Sequence, residues 1–323
     1  MRRRTWNWFA DRRRAPSEYE ELTVGLQWDS DPVVQTDVGS WSLESTALTD
    51  VDWESYRDPS KLYYRNYVTL QNQAETELDG IVGLGVRALQ PDAMPDDWRA
   101  CFADAVAGMA FAEWATAMVN QHIQRFCLSS TVAAAMQLQV VDKFRRAERL
   151  LEWTGTMLGE PTEEHDPARV AWMTSPSLQP LRRYLEQALT VDDWGEALIA
   201  VNIALDAQLQ PFLHHLYREG GGAAGDVVTV GLGDAFEVDT TRHLAANVAA
   251  LELAVADSEE NAKVLRGWLE HWGPAAAEAV AALAGGHPLD GVGPAALEHA
   301  QADYAARLAG IADGVLAEAV ATA

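Results

Sequence analysis

The sequence is poor in cysteine, poor in positive charge, and without any long apolar run. Cys101 and Cys127 are the only cysteines in 323 residues. Two are too few for a disulfide framework, and neither sits in a CxxC or zinc-type spacing. That predicts a reducing, cytoplasmic setting. The net charge of -24 excludes a broad nucleic-acid surface, because such surfaces draw their strength from neutralising phosphates. It would also be repelled by anionic lipid. No stretch of about 20 apolar residues is present to span a bilayer, so no membrane partner is expected. The arginine-rich opening lacks the apolar segment of about 7 to 15 residues that an export signal needs. A serine nucleophile elbow, a P-loop and HExxH are absent. "GLGDAF" at Gly231 and "GIVGLG" at Gly80 begin like dinucleotide fingerprints, but the first has Phe236 in place of the third glycine and the second falls in a predicted helix. None of the eight histidines has a Glu three residues before it, so no intact Glu-x-x-His metal motif exists.

What is present is apolar residues at helical spacing. An apolar content of 48% can bury a large core, which excludes disorder as the dominant state. From Leu62 onward the pattern predicts helices near 62–90, 97–126, 129–158, 176–188, 192–218, 234–256, 258–284 and 293–321. "QPDAMPDD", "GEPTEEHDP", "REGGGAAGD" and "AGGHPLDGVGP" separate them as Gly- and Pro-rich stops. Only "DVVTVGL" reads as strand, too short to build a sheet, so the fold class is all-α.

Residues 1–60 differ from the rest and are expected to form an extended N-terminal arm, with 61–323 as the helical domain. Arg2, Arg3, Arg4, Arg12, Arg13 and Arg14 with Asp11 give the first fourteen residues a net +5, ahead of a strongly acidic body. Arg3, Trp6, Trp8, Arg13 and Tyr19 are candidates for a surface that lies on a partner, since Arg and aromatic side chains concentrate at interface centres. The alternative is a disordered arm.

Within the predicted helix 129–158, Val132, Met136, Gln139, Lys143, Arg146, Leu150 and Trp153 follow a 4,3,4,3,4,3 rhythm and share one face. Two cations therefore stand where the pattern calls for core. Either their stems snorkel along the helix edge, or they turn inward and pair with acids.

"APSEYEELTVGLQ", "YRDPSKLYYRNYVTLQ", "TSPSLQPLRRYLE" and "RGWLEHWGP" resemble the β subunit of the hydroxylase of bacterial soluble di-iron monooxygenases. These multicomponent enzymes oxidise methane, propane, alkenes, toluene or phenol. The resemblance covers nearly the whole chain and implies a ferritin-like, ribonucleotide-reductase-like helical bundle. It also implies a non-catalytic role, with the di-iron centre in a partner α subunit and no cofactor in this chain. The partners it implies are that catalytic α subunit in an (αβ)₂ hydroxylase, a coupling protein and an NADH-dependent reductase; a small γ subunit is left open. Catalytic chains carry a lone Glu followed by "DExRH", then a second such set. The resemblance maps their six ligand positions onto Glu113, Lys143, Arg146, Asp206, Thr240 and His243.

A di-iron site of this type uses four carboxylates and two imidazoles. The six residues here offer two carboxylates and one imidazole, and they add two cations. Lys143 and Arg146 are therefore expected to pair inside the bundle with Glu113 and Asp206, Arg146 through a two-bond fork. The rival readings are a bundle with its own altered metal site on Glu113, Asp206 and His243, and a free-standing helical adaptor. The expected activity of the complex is hydrocarbon oxidation with O₂ and NADH-derived electrons, alkene epoxidation or alkane hydroxylation being favoured.

Overall fold

The computed structural model describes residues 16–24, 44–88, 90–159, 161–162, 166–256, 258–285 and 292–309. Among them the regular structure is entirely helical. The principal helices are α1 (Glu18–Thr23), α2 (Tyr64–Arg87), α3 (Met109–Phe126), α4 (Ser130–Leu158), α5 (Pro167–Thr174), α6 (Gln179–Ala188), α7 (Asp206–Leu216), α8 (Val227–Val255), α9 (Glu259–Gly285) and α10 (Val292–Ala309). No helix of the described residues is long and apolar enough to cross a membrane.

A four-helix core carries the rest. α3 and α4 form an antiparallel hairpin, and α7 and α8 close the bundle against them. α2 lies across α4 and α8, α9 crosses the segment ahead of α7, and α10 runs along α7. The α4 stripe faces inward along its whole length: Val132, Met136, Gln139, Lys143, Arg146, Leu150 and Trp153 are all buried, so the two cations do not snorkel.

Local chemistry fixes where these helices begin and end. Ser129 caps α4, its hydroxyl accepting from the Thr131 and Val132 N–H groups. Such a cap stabilises a helix by about 1 kcal/mol. α8 starts with Asp226, which accepts from the Thr229 N–H, and the preceding Gly225 has φ +77, a left-handed turn that favours glycine. "DVVTVGL", expected as strand, is thus the first two turns of α8. The cap and the burial of Val228 and Leu232 override the β preference of a valine-rich run. The expected stop at "REGGGAAGD" is also displaced, because the chain stays helical through a π turn at Tyr217–Gly221 and breaks only at Gly225. Further π segments span Phe102–Val106 and Ile199–Leu205.

The two glycine strings that fail as nucleotide fingerprints meet each other. A Cβ on Gly231 of α8 would come within 2.9 Å of Ile81 Cδ1 on α2, so the glycine there serves close helix packing.

Parts of residues 1–60 pack on this same chain. Ser17 and Glu20 form a capping box for α1, Ser130 donates to the Thr23 carbonyl at 2.7 Å, and Trp53 meets Trp194 edge-on. Tyr19, expected on a partner-facing arm, is buried within the chain, its hydroxyl accepting from the Asp58 N–H at 3.0 Å. Arg3, Trp6, Trp8 and Arg13 lie outside the described residues.

Candidate functional site, a charged cluster in the bundle core

Each of the four core helices sends polar side chains to one level of the bundle. Glu113 comes from α3, Lys143 and Arg146 from α4, Asp206 from the first turn of α7, and Thr240 and His243 from α8. Lys143 and Arg146 are both 0% exposed. Lys143 Nζ donates to Asp206 Oδ2 at 2.5 Å and lies 3.8 Å from Glu113 Oε2, a cation set between two carboxylates. Gln210 Nε2 donates to Glu113 Oε1 at 2.8 Å.

Arg146 is held differently from the expected fork. Its Nη2 donates to the Phe236 carbonyl at 2.7 Å and to Thr240 Oγ1 at 3.0 Å. The guanidinium lies over the Phe236 ring, 5.3 Å from its centroid. Its approach to Glu113 Oε1, 3.6 Å from Nη1, is too long for a hydrogen bond. The α-helical fixing of both partners leaves Arg146 short of a two-bond grip, and the nearer backbone carbonyl takes its donor instead.

A second layer lies beside this cluster and was not anticipated. Two pentapeptides share a pattern, "DKFRR" at Asp142–Arg146 and "DTTRH" at Asp239–His243. The first and fourth residues of each copy pair with those of the other: Arg242 Nη2 donates to Asp142 Oδ2 at 2.8 Å, and Arg145 Nη2 donates to Asp239. Arg242 also holds Asp239 at 2.6 Å. Gln71 of α2 donates to both acids, at 2.7 and 2.9 Å. Tyr67 completes the set with a 2.7 Å bond to Asp142. The repeated D-x-x-R was the signal in the sequence, since i, i+3 spacing puts both residues on one face.

His243 belongs to both layers. It lines the inner cavity with Arg146 and Asp206, but its Nε2 is directed to Asp142 Oδ2 at 2.8 Å. Burial lowers the His243 pKa against the pull of Asp142, and the positive fields of Arg146 and Arg242 lower it further. Burial pushes Asp142 upward, yet the bond and charge of His243, with Arg242 and Tyr67, prevail and hold it well below the ordinary carboxylate range. Near neutral pH an ionised Asp142 therefore accepts from a neutral imidazole, and the charge of His243 adds to the hold on Asp142 only once the ring is protonated at lower pH.

A polar layer of amides continues along the axis. Asn202 donates to Asn120 at 2.8 Å, and Gln139 donates to Asn247 at 3.0 Å. Further on, buried Asp226 accepts from Trp98 Nε1 at 3.0 Å and from Thr229 Oγ1 at 2.7 Å.

A pair of iron ions fits the inner residues poorly. The Lys143 ammonium stands between the two carboxylates, Arg146 adds a second positive charge, and the imidazole is directed to Asp142. Among the described residues no group of three or more His, Cys, Asp or Glu side chains is arranged to hold a metal ion. The arrangement supplies no activated nucleophile; chemically it is an internal ionic cross-link among four helices.

Residues 31–258 match the model of the methane/phenol/alkene hydroxylase family. The β subunit of the hydroxylase component of the toluene-4-monooxygenase system from Ectopseudomonas mendocina is 24% identical over 295 residues, covering 86% of this chain and 89% of that protein. The small subunit of the hydroxylase component of propane 2-monooxygenase from Rhodococcus jostii (strain RHA1) is 26% identical over 301 residues, covering 87% and 80%. The crystal structure of phenol hydroxylase from Pseudomonas sp. OX1 superposes with a TM-score of 0.85 at 22% identity, covering 95% of this chain and 94% of that one. The bundle is accordingly of the ferritin-like type. The chain belongs to the methane/phenol/alkene hydroxylase family and stands with its β, or small, subunits.

Proposed function

We propose that this chain is the non-catalytic, structural β subunit of a hydrocarbon-oxidising di-iron hydroxylase. It would pair with an iron-bearing α subunit in an (αβ)₂ assembly, served by a coupling protein and an NADH-dependent reductase. The observation that carries the reading is Lys143 Nζ, set 2.5 Å from Asp206 and 3.8 Å from Glu113. A tethered ammonium there repels metal ions and supplies the positive charge the two acids require. This chain would hold no cofactor, and its contribution would be to scaffold the catalytic chain. Alkene epoxidation or alkane hydroxylation is the favoured reaction class. The propane 2-monooxygenase relative supports it, and the toluene-4-monooxygenase relative marks the aromatic alternative.

Co-expression with the neighbouring reading frames tests the proposal. A larger chain should copurify at equal stoichiometry, with iron in that chain, and the reconstituted system should consume NADH and O₂ on small alkenes or alkanes. Purification as a lone chain with stoichiometric iron would contradict it. Turnover confined to aromatic substrates would overturn the reaction class alone.

A further inference from the structure

Two small cavities border the inner cluster. One, of about 20 Å³, is lined by Glu113, Gln210, Tyr217, Phe236 and Thr240 among others. The other, of about 10 Å³, is lined by Arg146, Asn202, Asp206, Thr240 and His243 among others. Each is near the minimum that admits a single water molecule, about 10 to 15 Å³. Neither approaches the few hundred cubic ångströms that an organic substrate needs.

Buried polar atoms without a hydrogen-bond partner in the protein concentrate on these cavities. Glu113, whose Oε2 is one of them, lines the larger cavity, and Arg146 Nε and Nη1, Asn202 Oδ1 and Asp206 Oδ1 belong to residues of the smaller one. Arg146 is 0%, Asn202 2% and Glu113 4% exposed. Leaving such a group unmet costs about 1 to 3 kcal/mol, more when it is charged. A cluster with this many unmet atoms is stable only if something else meets them.

The mixture of groups selects the ligand. An anion would meet Arg146 but also the Asp206 and Glu113 carboxylates. A metal cation would meet the carboxylates but also the Arg146 guanidinium and the Lys143 ammonium. Only a small neutral molecule that both donates and accepts satisfies guanidinium N–H, carboxylate oxygen and amide oxygen together.

We propose that the two cavities are built water sites, one molecule in each, and that the bound waters complete the hydrogen bonding of Glu113, Arg146, Asn202 and Asp206. The larger site reaches toward the surface at His214 and Glu237, joined by a 3.0 Å contact.

A high-resolution crystal structure of the assembled hydroxylase, with a parallel bromide soak, tests the assignment. Discrete density is expected within hydrogen-bonding distance of Asp206 Oδ1 in the smaller cavity and of Glu113 Oε2 in the larger, with no anomalous bromide signal. Absence of density in both, with Arg146 Nη1 bonded directly to Glu113, would overturn the proposal. Bromide in either cavity would overturn it in favour of an anion site. Asn202→Leu removes one acceptor and fills the smaller cavity. It should abolish that density and leave the larger site intact; persistence of both peaks would contradict the assignment.

Discussion

The inner and outer ionic layers come from the same two pentapeptides, yet they are built to different standards. In "DKFRR" and "DTTRH" the first and fourth residues make the outer layer, where Asp142 receives bonds from Tyr67, Gln71, Arg242 and His243 at 2.7 to 2.8 Å. The second and fifth residues lie about 100° further round each helix and make the inner layer, where Glu113 Oε2, Arg146 Nη1 and Asp206 Oδ1 find no hydrogen-bond partner in the protein, and the first two have only ion-pair neighbours at 3.8 and 3.6 Å. The outer layer is a clamp in which both acids are fully bonded and only Arg145 Nε lacks a hydrogen-bond partner. The inner one is a charge-neutral filling with a single short ion pair, Lys143 to Asp206. A buried ion pair gains little over an apolar filling, but stranding one of its members is expensive. The outer layer therefore specifies how α2, α4 and α8 meet, and the inner layer mainly avoids leaving acids unpaired.

The largest test of this contrast is Asp142→Ala, which takes the acceptor from four donors at once, three of them buried. It should cost at the upper end of about 3 to 5 kcal/mol, read by urea unfolding of the chain with its partner. A loss under about 1 kcal/mol would refute the clamp. Lys143→Met should cost about 3 kcal/mol by stranding Glu113 and Asp206. Replacing the whole quartet, Glu113→Leu, Lys143→Met, Arg146→Met and Asp206→Leu, should be neutral or stabilising by up to about 4 kcal/mol. If the quartet variant instead loses as much as Asp142→Ala, the two layers are not different in kind.

Gly225→Ala probes both layers together, because the left-handed turn at φ +77 sets the start of α8 and so the register of Asp239 through His243. The expected loss is about 1 to 2 kcal/mol, seen as a lower unfolding midpoint. The smallest effect concerns His243, which touches both layers. Its folded pKa is lowered, so below about pH 6.5 the unfolded chain takes up a proton that the folded chain does not. Stability should fall with falling pH there, by at most about 1.4 kcal/mol per pH unit, and His243→Gln should flatten that slope in unfolding curves at pH 7 and 5.5. Asp142, held low, adds its own loss only below about pH 4. An unchanged slope in the variant would mean that His243 is charged in the fold.

The sequence made the long helices legible because their buried faces repeat every three to four residues, as the α4 stripe from Val132 to Trp153 does. It was misleading where caps decide the outcome. "DVVTVGL" has strand-like residues, but Asp226 caps a helix through it. Conversely, the Ser17-x-x-Glu20 capping box marks α1 inside a stretch whose irregular patterning otherwise reads as an extended arm. The charged cluster was legible in its members and not in its bonding. Periodicity puts Lys143 and Arg146 on the inner face. Which acceptor each reaches depends on distances across helices, and those gave Arg146 to Phe236 and Thr240 rather than to Glu113. The outer layer was missed because its acids and arginines stand where a helix usually meets solvent; only the spatial return of α2 across α4 and α8 buries them.

The central claim is that the Lys143 ammonium takes the place of metal between Glu113 and Asp206. Anomalous diffraction at the iron edge from crystals of the assembled hydroxylase tests it most directly. The account predicts a paired iron signal in the partner subunit and none between Glu113 and Asp206; an iron peak at that point, with Lys143 turned away, would contradict it.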